Sequence, residues 1–180
     1  MNIYDAINQR RTVHNYNPST INPKVLNRIL AAGHMAPNHK FTWPWRFTVV
    51  GPQTRQALLP IAYKLKNVTE ENMKKRVRAK LINPAALVVV TQARSESAFQ
   101  EQEDYAATCC AIQNMLLAAK GEGLGSKWST GSLTQHADIC QLLKIDSEEE
   151  KVVGFIWFGE PKNIPTIERP SIGEHIHFLD

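Results

Sequence analysis

The chain has 180 residues, 43% of them hydrophobic and 21% charged, enough for one sizeable core and far from the balance of a disordered chain. Its net charge of +4 suits an anionic partner, but no RNP-like, helix-turn-helix or zinc-finger pattern accompanies it, so nucleic-acid recognition is not the expected role. No apolar run approaches membrane-spanning length and no basic-then-apolar leader opens the chain, so a single cytoplasmic domain over residues 1–180 is expected, with no membrane contact.

Asn2 is placed to cap a first helix in which Ile3, Ala6 and Ile7 share a face, ending near Arg10. The residues that follow, Arg10-Arg11-Thr12-Val13-His14-Asn15-Tyr16, combine two guanidiniums, a hydroxyl and an imidazole within five positions. Guanidiniums form bidentate, charge-assisted bonds to phosphate and a threonine hydroxyl can donate one more. A solvated basic helix end would have the same composition. Asn22 and Pro23 then open a second helix through Val25, Leu26, Ile29 and Leu30.

Pro37 stops that helix, and Pro44 holds Trp43 extended, so Ala36 to Trp45 forms a pinned loop with Asn38, His39 and Lys40 beside three large aromatics. A flat polar ring needs both kinds of neighbour, although a well-packed corner can look the same. Residues 46–50 read as a buried strand, and Gly51-Pro52 turns the chain into a helix near 53–65. Lys74-Lys75-Arg76-Val77-Arg78-Ala79-Lys80, preceded by Glu70 and Glu71, is expected to form a solvated helix face. Asn83-Pro84 breaks it, and the unalternating run over 86–91 predicts a central strand buried on both faces.

The longest helical pattern covers about 100–120, with Tyr105, Ala106, Cys109, Ile112, Gln113, Leu116 and Leu117 on its apolar stripe and small residues fit for a core or a subunit interface. Cys109, Cys110 and Cys140 have no C-x-x-C spacing and are expected to be free and buried. Gly121-Glu122-Gly123-Leu124-Gly125 follows a helix, so it reads as a helix stop and not a dinucleotide loop. Ser126 to Ser132 reads as a glycine-terminated turn whose amides and hydroxyls around Trp128 suit an anion or a ring edge. Thr134 is expected to cap a helix through Ile139, Leu142 and Leu143, and 152–159 is a further buried strand.

Three prolines, Pro161, Pro165 and Pro170, keep the tail over 161–180 from continuing as a regular helix, and it is expected to be extended, placed to cross a partner subunit. His175-Ile176-His177 would put two imidazoles on one strand face, too few for a metal site, and no G-x-S-x-G elbow is present. These side chains hold a ligand better than they activate a nucleophile, which assigns the chemistry to a cofactor.

Taken in order, Arg10-Arg11-Thr12, Ala36-Pro37-Asn38-His39-Lys40 with Pro44-Trp45, Gly123-Leu124-Gly125 leading to Trp128-Ser129-Thr130-Gly131, and Val153-Gly154-Phe155 with Gly159 and Pro161 nearby resemble the nitroreductase family. The likeness runs from Ile3 to about Pro161 and is greatest to short, single-domain bacterial members. It implies an α+β fold with a mostly antiparallel central sheet wrapped by helices, a homodimer built on the long helix, and FMN in two interface sites. It further implies a ping-pong oxidoreductase that moves hydride from NADPH or NADH to the flavin and then to a nitroaromatic, quinone or similar small-molecule acceptor. Desaturation, dehalogenation and flavin binding without turnover are the alternatives.

Carried over by position, the resemblance has Arg10 and Thr12 hold the FMN phosphate with Arg11 close, and brings His39 to the flavin from the opposite subunit. It completes the site with Trp128, Ser129, Thr130 and Gly131, and by weaker analogy sets Ala118 to Gly123 near the nicotinamide. His14 stands where relatives often carry Arg or Lys, and Met35 where close relatives offer Arg; both count among the expected cofactor-binding positions. Loss of those cations would make flavin reduction less favourable, unless Lys40 takes their place. The resemblance supplies no acid, base or metal ligand.

Overall fold

The computed structural model describes residues 1–179. Helix α1 (Ile3–Gln9) and helix α2 (Pro23–His34) start where their caps dictate, because Asn2 Oδ1 accepts the Asp5 N–H and Asn22 Oδ1 the Lys24 N–H, each at 2.9 Å. Strand β1 (Trp45–Val49), helices α3 (Pro52–Leu65) and α4 (Glu71–Ile82), strand β2 (Ala86–Ala93) and the long helix α5 (Ala98–Gly121) follow. Strand β3 (Gly125–Ser129), helix α6 (Ala137–Leu143) and strand β4 (Glu150–Gly159) complete the set.

The four strands form one antiparallel sheet in the order β1-β2-β4-β3. Because side chains alternate across a strand, Leu87 and Val89 of β2 join Phe155 and Trp157 of β4 in a core with Leu58, Leu59 and Ala62 of α3 and Ile139 of α6. Val88, Val90, Ile156 and Phe158 point the other way, onto Ile29 of α2 and Ile112, Met115 and Leu116 of α5. The sheet is therefore covered on both faces, as the unbroken apolar run in β2 predicts. Helices α2 and α5 come close enough that a Cβ on Gly33 would lie 2.7 Å from Met115 Cγ.

Several expectations are corrected. β1 begins one residue early and leaves Arg46 and Val49 exposed, because an edge strand has a sheet neighbour on one side only. The turn expected over 126–132 is in part a strand: pairing with β4 imposes extended backbone on Gly125 to Ser129 despite their weak strand propensity. Thr134 caps no helix. Its hydroxyl donates to Gly131 O at 2.8 Å inside a 3-10 turn (Ser132–Gln135), and His136 Nδ1 caps α6 by accepting the Asp138 N–H at 3.3 Å.

In α5 the buried stripe is Asp104, Ala107, Thr108, Ala111, Ile112, Met115, Leu116 and Ala119, whereas Tyr105, Ala106 and Gln113 are exposed; apolar and polar residues are spread around the helix with no marked amphipathic face, so periodicity alone does not choose its inner side. Ala6 is buried but Ile3 and Ile7 are not. The cysteines are free, but Cys110 is exposed and the other two only partly covered. The tail carries a 3-10 turn (Ile172–His175) with exposed side chains and places His175 and His177 on no strand; its last residue lies outside the described residues.

Gly154 sits under the Trp128 indole, and an added Cβ would overlap that ring. Gly154→Ala should cost about 1–3 kcal/mol, read as a lowered thermal midpoint, whereas Gly121→Ala, with nothing within 4 Å of its new Cβ, should be neutral or stabilising.

Candidate functional site

An extended segment after α1 brings the N-terminal cluster to the sheet. The Val13 N–H donates to Ser126 O at 3.0 Å, and Thr12 bridges to Ser126 in parallel register alongside β3. Asn17 N–H donates to Glu160 O and Lys162 N–H to Asn15 O, each at 3.0 Å, so the segment is also stitched to the chain leaving β4. Val13 is its apolar anchor at 2% exposure, and the approach needs Gly125, where a Cβ would lie 2.8 Å from Val13 Cγ2. This packing fixes Arg10 and Arg11 on one side of Val13 and His14 on the other.

Arg10 is partly buried. Burial first, then the charges of Arg169 and Arg11, pull its pKa below the ordinary guanidinium value. Arg10 thus carries the repulsion of two further guanidiniums, and among the described residues none of the three pairs with a carboxylate within 4.0 Å. Arg11 Nη1 instead donates to Asn8 O at 2.6 Å and Arg10 O at 2.9 Å. Arg10 and Arg11 line a small depression with Gly125, Ser126 and Lys120. Such crowding favours an anion with several acceptor oxygens.

A separate cavity of about 610 Å³, which shares no lining residue with that depression, is within the usual ligand-pocket range. His14, Ser129, Thr130 and Gly131 line it, joined by Lys66, Arg76, Lys80 and Lys127, and among the described residues no carboxylate is in its wall. Phe155, Trp157 and Tyr16 contribute its aromatic part. Desolvation, then Lys80 and Lys66, lower the pKa of Lys127; desolvation, then Lys127 and Lys80, lower that of His14.

The other expected residues lie elsewhere. Trp128 turns its ring away from the cavity, packs with the α2 and α5 core and donates from Nε1 to Val153 O at 3.3 Å. Met35 caps the end of α2, 79% exposed, and His39 lies exposed on the following loop, neither lining the cavity within one chain. That loop is strained: Lys40, Phe41 and Trp43 have φ of 52°, 53° and 40°. Thr42 Oγ1 holds it to α5 by donating to the buried Asp104 Oδ1 at 2.7 Å, and Asn38 Oδ1 accepts the Trp43 N–H at 3.0 Å.

Sequence reasoning missed Arg169, Lys66, Arg76, Lys80 and Lys127. The signal for α4 was present, since Met73, Arg76, Val77 and Lys80 recur at helical spacing and all line the cavity. Arg169 lies in the irregular tail and had no such signal.

The family model described as Nitroreductase family matches residues 7–160. The chain belongs to the nitroreductase family. Among its relatives is YfhC of Bacillus subtilis (strain 168), named as a candidate NAD(P)H nitroreductase, 29% identical over 171 residues, 92% of this chain and 87% of that protein. A nitroreductase-like family protein from Bacillus cereus superposes with a TM-score of 0.85 at 27% identity, covering 100% of this chain and 97% of that one. A candidate nitroreductase in complex with FMN from Desulfovibrio desulfuricans gives 0.80 at 25% identity, covering 100% and 98%. The α+β architecture implied by the resemblance is thus the fold observed, and this nitroreductase-family chain lines one cavity with Lys66, Arg76, Lys80 and Lys127.

Replacing Lys127 by Gln removes a cation that acts on His14, so the His14 titration midpoint, followed by NMR of its ring protons, should move upward.

Proposed function

We propose that this chain is an FMN-dependent oxidoreductase that uses NADPH or NADH to reduce nitroaromatic, quinone or similar acceptors by a ping-pong cycle. The observation that carries this reading is the cavity whose described lining holds four Lys and Arg side chains and no carboxylate, together with the depression lined by Arg10 and Arg11. The donor set fits FMN: Arg10 and Arg11 offer guanidiniums to the oxygens of a phosphate monoester, Arg169 adds positive charge that acts on Arg10, and Thr12 adds a hydroxyl on the same segment. His14 and the Ser129-Thr130-Gly131 stretch offer an imidazole, hydroxyls and amides to the polar edge of a ring, in a cavity with Phe155 and Trp157 in its lining.

When bound, FMN supplies the acceptance and return of hydride. The chain's own residues hold and tune. The arginines anchor the phosphate, Lys80 and Lys127 keep positive potential in the cavity, and the apolar lining excludes water. Trp128 acts in this reading through its backbone and by seating the strand. Met35, His39 and Lys40 join the site only in a homodimer, where the strained loop of one subunit faces the cavity of the other. The exposed Ile3, Tyr4, Ile7, Phe41 and Trp43 support such an assembly.

The purified protein should take up FMN and show a bound-flavin absorption spectrum that bleaches with anaerobic NADPH. Arg10→Gln and Arg169→Gln should each weaken FMN binding roughly 10- to 100-fold, as expected for loss of charge-assisted bonds. A spectrum that stays oxidised would point to a different donor. Initial-rate lines at several acceptor concentrations should be parallel, and sedimentation should give a dimer.

A further inference from the structure

The cavity wall holds more positive charge than a flavin phosphate requires. A phosphate monoester carries about −1.5 to −2 near pH 7, and Arg10 and Arg11, which line the separate depression and are not in the wall, already balance it. That leaves Lys66, Arg76, Lys80 and Lys127 around one space with no carboxylate among its lining residues. Among the described residues none of these four pairs with an acid within 4.0 Å. Lys127 is held there against burial and against the repulsion of Lys80 and Lys66. Much of the remaining lining is apolar, including Met73, Val77, Leu81, Phe155 and Trp157.

A space that joins an apolar floor to four unpaired cations suits a molecule that is itself half ring and half anion. We propose that the cavity accepts an aromatic carboxylate as the electron-accepting substrate, with its ring on the apolar lining and its carboxylate among Lys66, Arg76, Lys80 and Lys127. The inference rests on the flavin reading above and narrows it to acidic acceptors. For a nitro-bearing acid the balance is R–NO2 + NADPH + H+ giving R–NO + NADP+ + H2O. The nitro group loses one oxygen as water and gains two electrons, while the carboxylate is unchanged, so substrate and product are held by the same cations.

The test is calorimetric binding of benzoate and of its neutral counterpart benzamide, neither of which is reduced, to protein loaded with FMN and to protein stripped of it. Benzoate should bind the loaded protein at least about tenfold more tightly than benzamide, a difference of about 1.4 kcal/mol. The advantage should shrink with added salt and in the Lys66→Gln/Arg76→Gln double variant. Equal binding of the two ligands to the wild type overturns the inference. So does benzoate that binds only stripped protein, since the four cations would then belong to the flavin phosphate. If FMN does not bind at all, the flavin reading fails by itself, and the benzoate preference of the flavin-free chain still decides whether the cavity is an acid site.

Discussion

The pairing of β2 with β4 is the constraint on which the remainder of the molecule depends. Each strand is buried on both faces, so a slip of one residue would exchange the α3 and α6 side for the α2 and α5 side at every position. Leu87 and Val89 must therefore share a side with Phe155 and Trp157. That side continues into the cavity, where Phe155 and Trp157 form part of the lining. The register that builds the core thus also sets the floor on which a ligand would rest.

Against this fixed floor the chain brings up like charges from four separate stretches. His14 arrives on a segment stitched to Ser126, Lys127 on β3, Lys66 from the end of α3, and Arg76 and Lys80 on α4. Their mutual repulsion is tolerated because each stretch is anchored by something else: Val13 by burial, β3 by its ladder to β4, α4 by packing on α3. Groups that repel one another when nothing lies between them are already oriented when an anion arrives, so little rearrangement is required at binding.

The parts readable in the sequence were those with local causes. Asn2 and Asn22 declare helix starts through their own side chains, and the run of Val88, Val89 and Val90 declares a doubly covered strand. What escaped depends on partners far along the chain. Gly125 to Ser129 looks like a turn until β4 pairs with it, and α5 has no marked amphipathic face, so only the positions of α2 and the sheet select its inner side. The candidate site divides in the same way. Arg10, Arg11, Thr12 and His14 could be picked out because four functional groups crowd one heptapeptide, but Lys66, Lys127 and Arg169 are single charges in ordinary surroundings and acquire meaning only by convergence.

Helix α4 carries the outer cationic wall yet contributes little to the sheet core: its contacts run chiefly to α3, and Leu81 is its only buried residue. Charge and shape there can drift without disturbing β2, β4 or the arginine cluster. The scaffold thus separates the positions that must fold from the positions that line the outer side of the cavity. A lineage could retarget this protein by rewriting the outward-lining positions of a single twelve-residue helix.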